Sequence, residues 1–191
     1  MANICTTEYK ITGTENAVKN LWDAISLFNP NDSNIYLHKL AEHYGIDYEK
    51  KGISVRGHIY FAKYDEESNV ISMDTESDWS ACDELFDEIN HALDDELSIS
   101  YREMECGCDI FYVKDEGSFF TEECCVDSQG EPFDGVCYEI YATTEEAIEE
   151  WCKQMGIERG DRSTEAMVDY INDYEYEDDD TYYYIHPFTF E

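Results

Sequence analysis

The sequence predicts an α+β protein, and three observations support this fold class. Several segments alternate apolar and polar residues with a period of two, which indicates half-buried strands. Other segments carry apolar residues every three or four positions, which is typical of amphipathic helices. The segments follow one another in the order strand, helices, strand, strand, helix, strand, and this order predicts an antiparallel sheet with helices on one face.

The first part of the chain supplies these elements in turn. Alternation predicts strands at 4–12 and 53–63, and further strands are expected at 70–74, 97–104 and 109–114. Helical spacing predicts a helix after Thr14, a second over 34–44, and a third that carries Trp79, Cys82, Leu85, Phe86, Ile89 and Leu93. The polar run 65–69 is typical of a hairpin turn. We therefore expect residues 1–115 to form a split βαβ, ferredoxin-like sandwich.

Residues 116–191 are expected to form an acidic C-terminal α/β extension packed on that core. Strands at 118–126 and 136–142 are predicted, joined by a turn at 127–130. The run Thr143-Thr144-Glu145-Glu146 fits a capping box that opens a helix, and another helix is expected near Ser163. The final segment 181–190 alternates well and predicts one further strand.

Charge is the outstanding feature of the composition. The 191 residues contain 12 Lys and Arg against 46 Asp and Glu, a formal net charge of −34. Between Asp65 and Glu150 the only basic residues are Arg102 and Lys114. Such a chain repels nucleic acid and anionic lipid, because both are negatively charged. It attracts basic protein surfaces, so we expect a basic protein partner and neither direct nucleic-acid nor membrane binding.

The start of the chain lacks the charged and apolar regions of a signal peptide, and no stretch is long and apolar enough to span a bilayer. A cytoplasmic location is therefore expected. The eight cysteines are then expected to be reduced thiols, because disulfides form mainly in oxidising compartments.

Short motifs in the first 115 residues resemble the YubB-type ferredoxin-like family of phage, plasmid and other mobile-element proteins. They are Asn3 and Cys5, the Ile11-Gly13 strand end, Asp78-Trp79-Ser80, and the Tyr101, Glu103 and Gly107 stretch. The sequence departs from the family at Ala81, where Pro is common, and at Cys106-Gly107-Cys108, which replaces a Pro-Gly step. The resemblance implies a ferredoxin-like fold and a mobile-element setting, and it supplies no catalytic residues.

No motif for catalysis or metal binding stands out. The densest thiol group, Cys106 and Cys108 with Cys124 and Cys125, lacks the spacing of structural zinc sites. The acidic runs do not follow the EF-hand ligand order, and no P-loop, G-x-S-x-G or G-x-G-x-x-G motif occurs. We therefore expect a protein that is not an enzyme, with no catalytic residues, no dedicated metal site and no cofactor. A small metal-binding module remains an alternative.

Regularly spaced carboxylates are the remaining signal, because an acidic helix face can imitate the phosphates of DNA. The leading hypothesis is an acidic inhibitor or DNA mimic that blocks a basic nucleic-acid-binding protein, such as a host-defence nuclease. An alternative is a mobile-element protein whose charge serves only solubility. The candidate partner-binding residues are Asp83, Glu84, Asp87, Glu88, Asp94, Asp95, Glu96, Glu145, Glu146, Glu149, Glu150, Asp178, Asp179 and Asp180.

Overall fold

A computed structural model describes residues 3–28, 34–133 and 137–191, and the fold is α+β, as the sequence predicts. The chain divides into two compact units. Unit 1 comprises residues 1–120 together with 190–191, and unit 2 comprises residues 121–189.

The elements of the described ranges are bounded as follows. The strands are β1 Ile4–Gly13, β2 Ile35–Tyr36, β3 Gly57–Asp65, β4 Val70–Asp78, β5 Leu97–Glu105, β6 Ile110–Lys114, β7 Cys124–Gln129, β8 Cys137–Tyr141, β9 Tyr182–Pro187 and β10 Thr189–Phe190. The helices are α1 Glu15–Phe28, α2 Leu37–His43, α3 Tyr48–Lys51, α4 Asp83–Ala92, α5 Thr144–Met155 and α6 Thr164–Asn172. No helix in the described ranges has the length and apolar character needed to cross a membrane.

The larger sheet has the strand order β10-β6-β5-β1-β4-β3-β2. Strand β1 is central and pairs antiparallel with both β4 and β5, while β3 and β4 form the hairpin expected around residues 65–69. The connection from β1 to β3 passes through α1, β2, α2 and α3, and the connection from β4 to β5 passes through α4. Each of these two connections skips one strand of the sheet.

Alternation along β1 explains the core of unit 1. Tyr9 and Ile11 are fully buried against the apolar stripes of α1, α2 and α4, and the ring of Tyr9 lies 4.7 Å from that of Phe86. The buried side of α1 consists of Ala17, Val18, Leu21, Ala24 and Ile25. Because the three helices share one apolar cluster with the sheet, all three pack on the same face of it.

Two expectations in unit 1 are wrong in detail. Residues 35–36 are a short strand rather than the start of a helix, because Ile35 and Tyr36 pair with β3. Trp79 is not part of α4 either, since the helix begins at Asp83 and Trp79 lies in a turn with φ 73° and a half-exposed ring. The turn is held by the carbonyl of Ser80, which accepts a hydrogen bond of 2.7 Å from a neighbouring hydroxyl.

Unit 2 contains a three-stranded antiparallel sheet of order β8-β7-β9 with α5 and α6. The predicted helix starts are confirmed: the hydroxyl of Thr143 accepts the amide N–H of Glu146 at 3.2 Å, and that of Ser163 accepts the N–H of Ala166 at 3.2 Å. Trp151 of α5 is fully buried at the centre of the unit 2 core.

Three expectations in the C-terminal part are wrong in detail. The strand expected at 118–126 begins only at Cys124. Residues 127–129 of the predicted turn 127–130 belong to β7, because β7 pairs on both sides and its ladders override the local turn preference of Asp127 and Ser128. The chain turns after Gly130 instead, whose carbonyl accepts the N–H of Phe133 at 2.8 Å. The final segment is divided between two sheets, as β9 and β10, where Pro187 supplies no N–H to continue a ladder.

Candidate partner-binding site

The acidic face of α4 lies opposite the helix side that packs in the core of unit 1. Leu85, Phe86 and Ile89 are buried, whereas Glu84 and Asp87 are exposed. This division follows from the helical period of 3.6 residues, which separates the apolar and acidic positions onto opposite sides. Neither Glu84 nor Asp87 forms an ion pair with a described residue, so both carboxylates are available to a partner.

Four of the seven acids predicted around α4 are instead occupied within unit 1. The carboxylate of Glu88 forms an ion pair with Lys51, and that of Asp95 contacts the imidazole of His91. Asp83 Oδ2 accepts the hydroxyl of Tyr101 at 3.3 Å. Glu96 Oε2 accepts a hydroxyl from the turn after β1 at 2.6 Å.

Asp94 completes the set on α4 and its C-terminal turn. It lies beside Asp95 in a turn where both residues have left-handed backbone conformations, with φ 58° and 59°. Its side chain is exposed and makes no ion pair with a described residue. The structure therefore leaves three predicted carboxylates of unit 1 open, those of Glu84, Asp87 and Asp94.

The four predicted glutamates of α5 do not share one role. Glu145 binds the guanidinium of Arg159, through Nη2 at 3.1 Å and through a second contact from Nη1, and also contacts the hydroxyl of Thr164. These bonds, led by the one from Arg159, lower the pKa of the Glu145 carboxyl below its usual range. Glu145 is thus part of the unit 2 framework.

The other three glutamates of α5 line a cavity of about 570 Å³ within unit 2. We call this cavity the α5 groove, and its acidic members are Glu139, Glu146, Glu149 and Glu150. Its apolar and aromatic members are the buried residues Val126, Phe133 and Tyr183 and the half-buried Tyr141. The groove thus combines carboxylates with aromatic rings.

Hydrogen bonds fix two sides of the α5 groove. Tyr183 donates its hydroxyl to the carbonyl of Ala147 at 3.1 Å, and Tyr141 donates its hydroxyl to Glu139 Oε2 at 2.9 Å. Burial, followed by this bond to Glu139, raises the pKa of Tyr141 to about 12. The phenol of Tyr141 is therefore a neutral donor at physiological pH, and the hydrogen bonds hold both rings in place.

One side chain of the molecule already brings a cation to the α5 groove. The ammonium of Lys153 lies 3.1 Å from Glu150 Oε2, and Gln154 donates to Glu150 Oε1 at 2.8 Å. The bond from Gln154 and then that from Lys153 lower the pKa of Glu150. Glu146 and Glu149 have no such cation among the described residues, so the groove keeps a net negative charge.

The predicted run Asp178-Asp179-Asp180 forms an exposed turn in unit 2 and does not line the α5 groove. Asp178 Oδ1 accepts the N–H of Asp180 at 3.0 Å, and its carbonyl accepts the N–H of Thr181 at 3.0 Å. These local hydrogen bonds stabilise the turn although it contains three adjacent carboxylates. The sequence did not reveal three residues of the groove, Phe133, Glu139 and Tyr141. Two of them, Glu139 and Tyr141, lie beside α5 only because β8 pairs with β7.

The described ranges contain no candidate cluster of metal ligands, and two of their buried cysteines have raised pKa values. No group of three or more His, Cys, Asp or Glu residues in that part of the chain has a geometry that could hold a metal ion. Burial raises the pKa of Cys5 to about 12 and that of Cys124 to about 11. Both groups are therefore thiols rather than reactive thiolates at neutral pH.

Comparisons with known proteins found no relatives for this chain. No family model matches the sequence. No curated protein and no solved structure matches it either.

Proposed function

We propose that this chain is a non-catalytic acidic protein that occupies the basic surface of a nucleic-acid-binding protein, such as a host-defence nuclease, in the cytoplasm. Its mechanism is steric and electrostatic: carboxylates on a folded framework take the place of nucleic-acid phosphates. No chemical step is involved, and the partner is released when salt screens the attraction.

The acidic face of α4 carries the proposal. This helix bears four carboxylates, of which those of Asp83 and Glu88 are occupied within unit 1. The two open carboxylates, those of Glu84 and Asp87, are three residues apart and so ~4.5 Å apart along the helix axis. One strand of DNA presents about one charge per 3.4 Å of axis, so the spacing of these two carboxylates is close to that of successive phosphates. Glu84 and Asp87 supply exposed, unpaired charge within this array.

The distribution of charge over the chain supports the same function. Unit 2 contains twenty Asp and Glu against three Lys and Arg, so its charge density is extreme even for this chain. A negative potential of this size increases the association rate with basic surfaces at low ionic strength. It also disfavours direct contact with nucleic acid, since both carry the same sign of charge.

We further propose that unit 1 is a ferredoxin-like split βαβ sandwich, in line with the family resemblance of its sequence motifs. Four of its strands have the order β5-β1-β4-β3, and two helical connections each skip one strand. This is the arrangement of two interleaved βαβ units with antiparallel neighbours. Such a frame holds the acidic face of α4 on a rigid element.

A capture experiment from host lysate tests the proposed function. The purified chain is immobilised, lysate is applied at about 50 mM salt, and bound proteins are eluted by raising salt or by adding duplex DNA. We expect a basic nucleic-acid-binding protein that salt releases and that DNA displaces, because DNA and the chain compete for one surface. Bound proteins that DNA does not displace, or no basic protein at all, would leave solubility as the role of the charge.

A further inference from the structure

The α5 groove combines three properties that together define a class of ligand. It is a cavity of about 570 Å³, which lies within the usual range of binding pockets, it is lined by aromatic residues of which Tyr141 is the most exposed, and it is also lined by four carboxylates. Carboxylates beside aromatic rings are the surroundings in which proteins bind organic cations, through ion pairs and cation–π contacts. The chemistry of the groove therefore favours a cationic group with an extended surface.

The groove carries charge that the chain itself does not neutralise. Lys153 compensates Glu150, but the carboxylates of Glu146 and Glu149 meet no Lys or Arg of the described chain. Among the described residues, the carboxylate of Glu139 accepts the neutral hydroxyl of Tyr141 and meets no Lys or Arg. A cation from another molecule would find at least two unpaired carboxylates within one cavity.

We infer that the α5 groove receives an arginine side chain of a protein partner. Arginine fits better than lysine, because its planar guanidinium binds carboxylates through two parallel bonds and also stacks on aromatic faces. The same chain shows this stacking elsewhere in unit 2, where the guanidinium of Arg162 lies 4.3 Å from the centre of the Tyr170 ring. This inference rests on the proposed function, since basic nucleic-acid-binding surfaces present arginines to phosphates.

The roles of the two acidic surfaces then differ. The face of α4 is an exposed array that attracts positive charge over a distance. The α5 groove has walls, so it discriminates by shape as well as charge, and it provides an anchor point of the kind that dominates interface energies. The groove is therefore the place where a guanidinium is distinguished from an ammonium.

The test uses nona-arginine and nona-lysine peptides as probes of the full chain, with affinities measured by calorimetry at about 150 mM salt, where long-range attraction is screened. The groove variant Glu146→Gln with Glu149→Gln removes two charges from the rim. The control variant Glu175→Gln with Glu177→Gln removes two charges from exposed positions of the same unit that do not line the groove. Circular dichroism of both variants verifies that they are folded.

We expect nona-arginine to bind at least fivefold more tightly than nona-lysine, and the groove variant to lose at least tenfold in affinity for nona-arginine. The control variant should lose less than threefold. Equal losses in both variants, or equal affinities for the two peptides, would overturn the assignment of the groove. The capture experiment from lysate separates this inference from the proposed function. If the groove variant captures a DNA-displaceable partner as well as the wild type does, the groove assignment alone is overturned. If no basic partner is captured at all, the proposed function itself is overturned.

Discussion

The guanidinium of Arg159 donates through Nη2 to Glu145 Oε1 at 3.1 Å, and this bond joins the first turn of α5 to the segment that leads into α6. Glu145 and Glu146 are neighbours in the sequence, yet the first is held within unit 2 and the second faces the α5 groove. The difference arises because adjacent helical positions are about 100° apart around the axis. Acidic residues on one helix therefore differ in role: some are bound within the unit, and others remain free to contact a partner.

Replacement of Glu145 by Gln should destabilise unit 2 at neutral pH. The pair is partly exposed, with side-chain exposures of 33% and 44%, so we expect a loss of at most about 1 kcal/mol. The folded-state pKa of Glu145 is lowered, so the stabilisation is present above the unfolded pKa of ~4.3 and is lost as pH falls through the folded value. Urea unfolding at pH 7 and at pH 3 measures the difference between wild type and variant.

The difference in the free energy of unfolding between wild type and Glu145→Gln should shrink at pH 3. The control is Glu149→Gln, which removes an unpaired carboxylate and should change the free energy of unfolding by less than about 0.5 kcal/mol at either pH. A deficit of the Glu145 variant that is the same at both pH values would contradict an ion-pair origin.

Local periodicity made much of this fold predictable. The stripe of Leu21 and Ile25 in α1 and the alternation of Tyr9 and Ile11 in β1 are set by side-chain direction alone, so the sequence reveals them. The partner of a charged side chain is not set locally. Glu88 pairs with Lys51, which precedes it by 37 residues, and only the tertiary fold brings them together.

The candidate site was predictable to a similar degree. The acids of α4 and α5 are visible in the sequence, but the cavity beside α5 requires Glu139 and Tyr141 from β8, whose position depends on strand pairing. The turn at Trp79 is another feature without a local signal. It depends on the amide of Ala81, which donates to the carboxylate of Glu103 at 2.8 Å across 22 residues of sequence.

Replacement of Glu103 by Gln should make unit 1 more stable at neutral pH. Burial raises the pKa of this carboxyl, so the charged form is disfavoured in the folded state. The contribution of Glu103 to the free energy of unfolding of the wild type therefore decreases as pH rises from the unfolded pKa of ~4.3 to the raised folded value. The amide oxygen of Gln can still accept the N–H of Ala81, so we expect a gain of up to about 1 kcal/mol at pH 7 and none at pH 4.

Thermal unfolding of the wild type and of Glu103→Gln at the two pH values measures this difference. Glu103→Ala is the matched variant that removes both charge and acceptor, and it should cost about 1–3 kcal/mol because the amide of Ala81 loses its partner. A Gln variant as unstable as the Ala variant would show that the charge itself is required.

The indole of Trp151 provides a test of the unit 2 core. Its Nε1–H donates to the hydroxyl of Tyr176 at 2.8 Å, and the side chain is fully buried. Tyr176→Phe should destabilise unit 2 by about 1–3 kcal/mol, because it leaves a buried donor without an acceptor. Chemical unfolding followed by tryptophan fluorescence measures the loss. Tyr174→Phe, which keeps the ring 5.2 Å from Trp151, should cost less than about 0.5 kcal/mol.

Charge reversal on α4 provides the most direct test of the partner-binding face. Glu84→Lys with Asp87→Lys should weaken capture of the basic partner at least tenfold at low salt, because both carboxylates are exposed and unpaired. Glu88 is excluded from this variant, since its ion pair with Lys51 gives it a structural role. The matched control is Glu66→Lys with Glu67→Lys, which makes the same change of charge in the exposed β3–β4 turn.

If net charge alone governed binding, the two charge reversals on α4 and the two in the β3–β4 turn would reduce the affinity for the partner equally. The spacing of carboxylates along a rigid helix predicts otherwise: the α4 variant should also show a smaller dependence of affinity on salt than the control, because fewer partner cations are neutralised in the complex. Affinities measured between about 50 and 200 mM salt distinguish the two cases. Parallel salt dependences with equal losses would mean that α4 is a solvated face with no defined role in recognition.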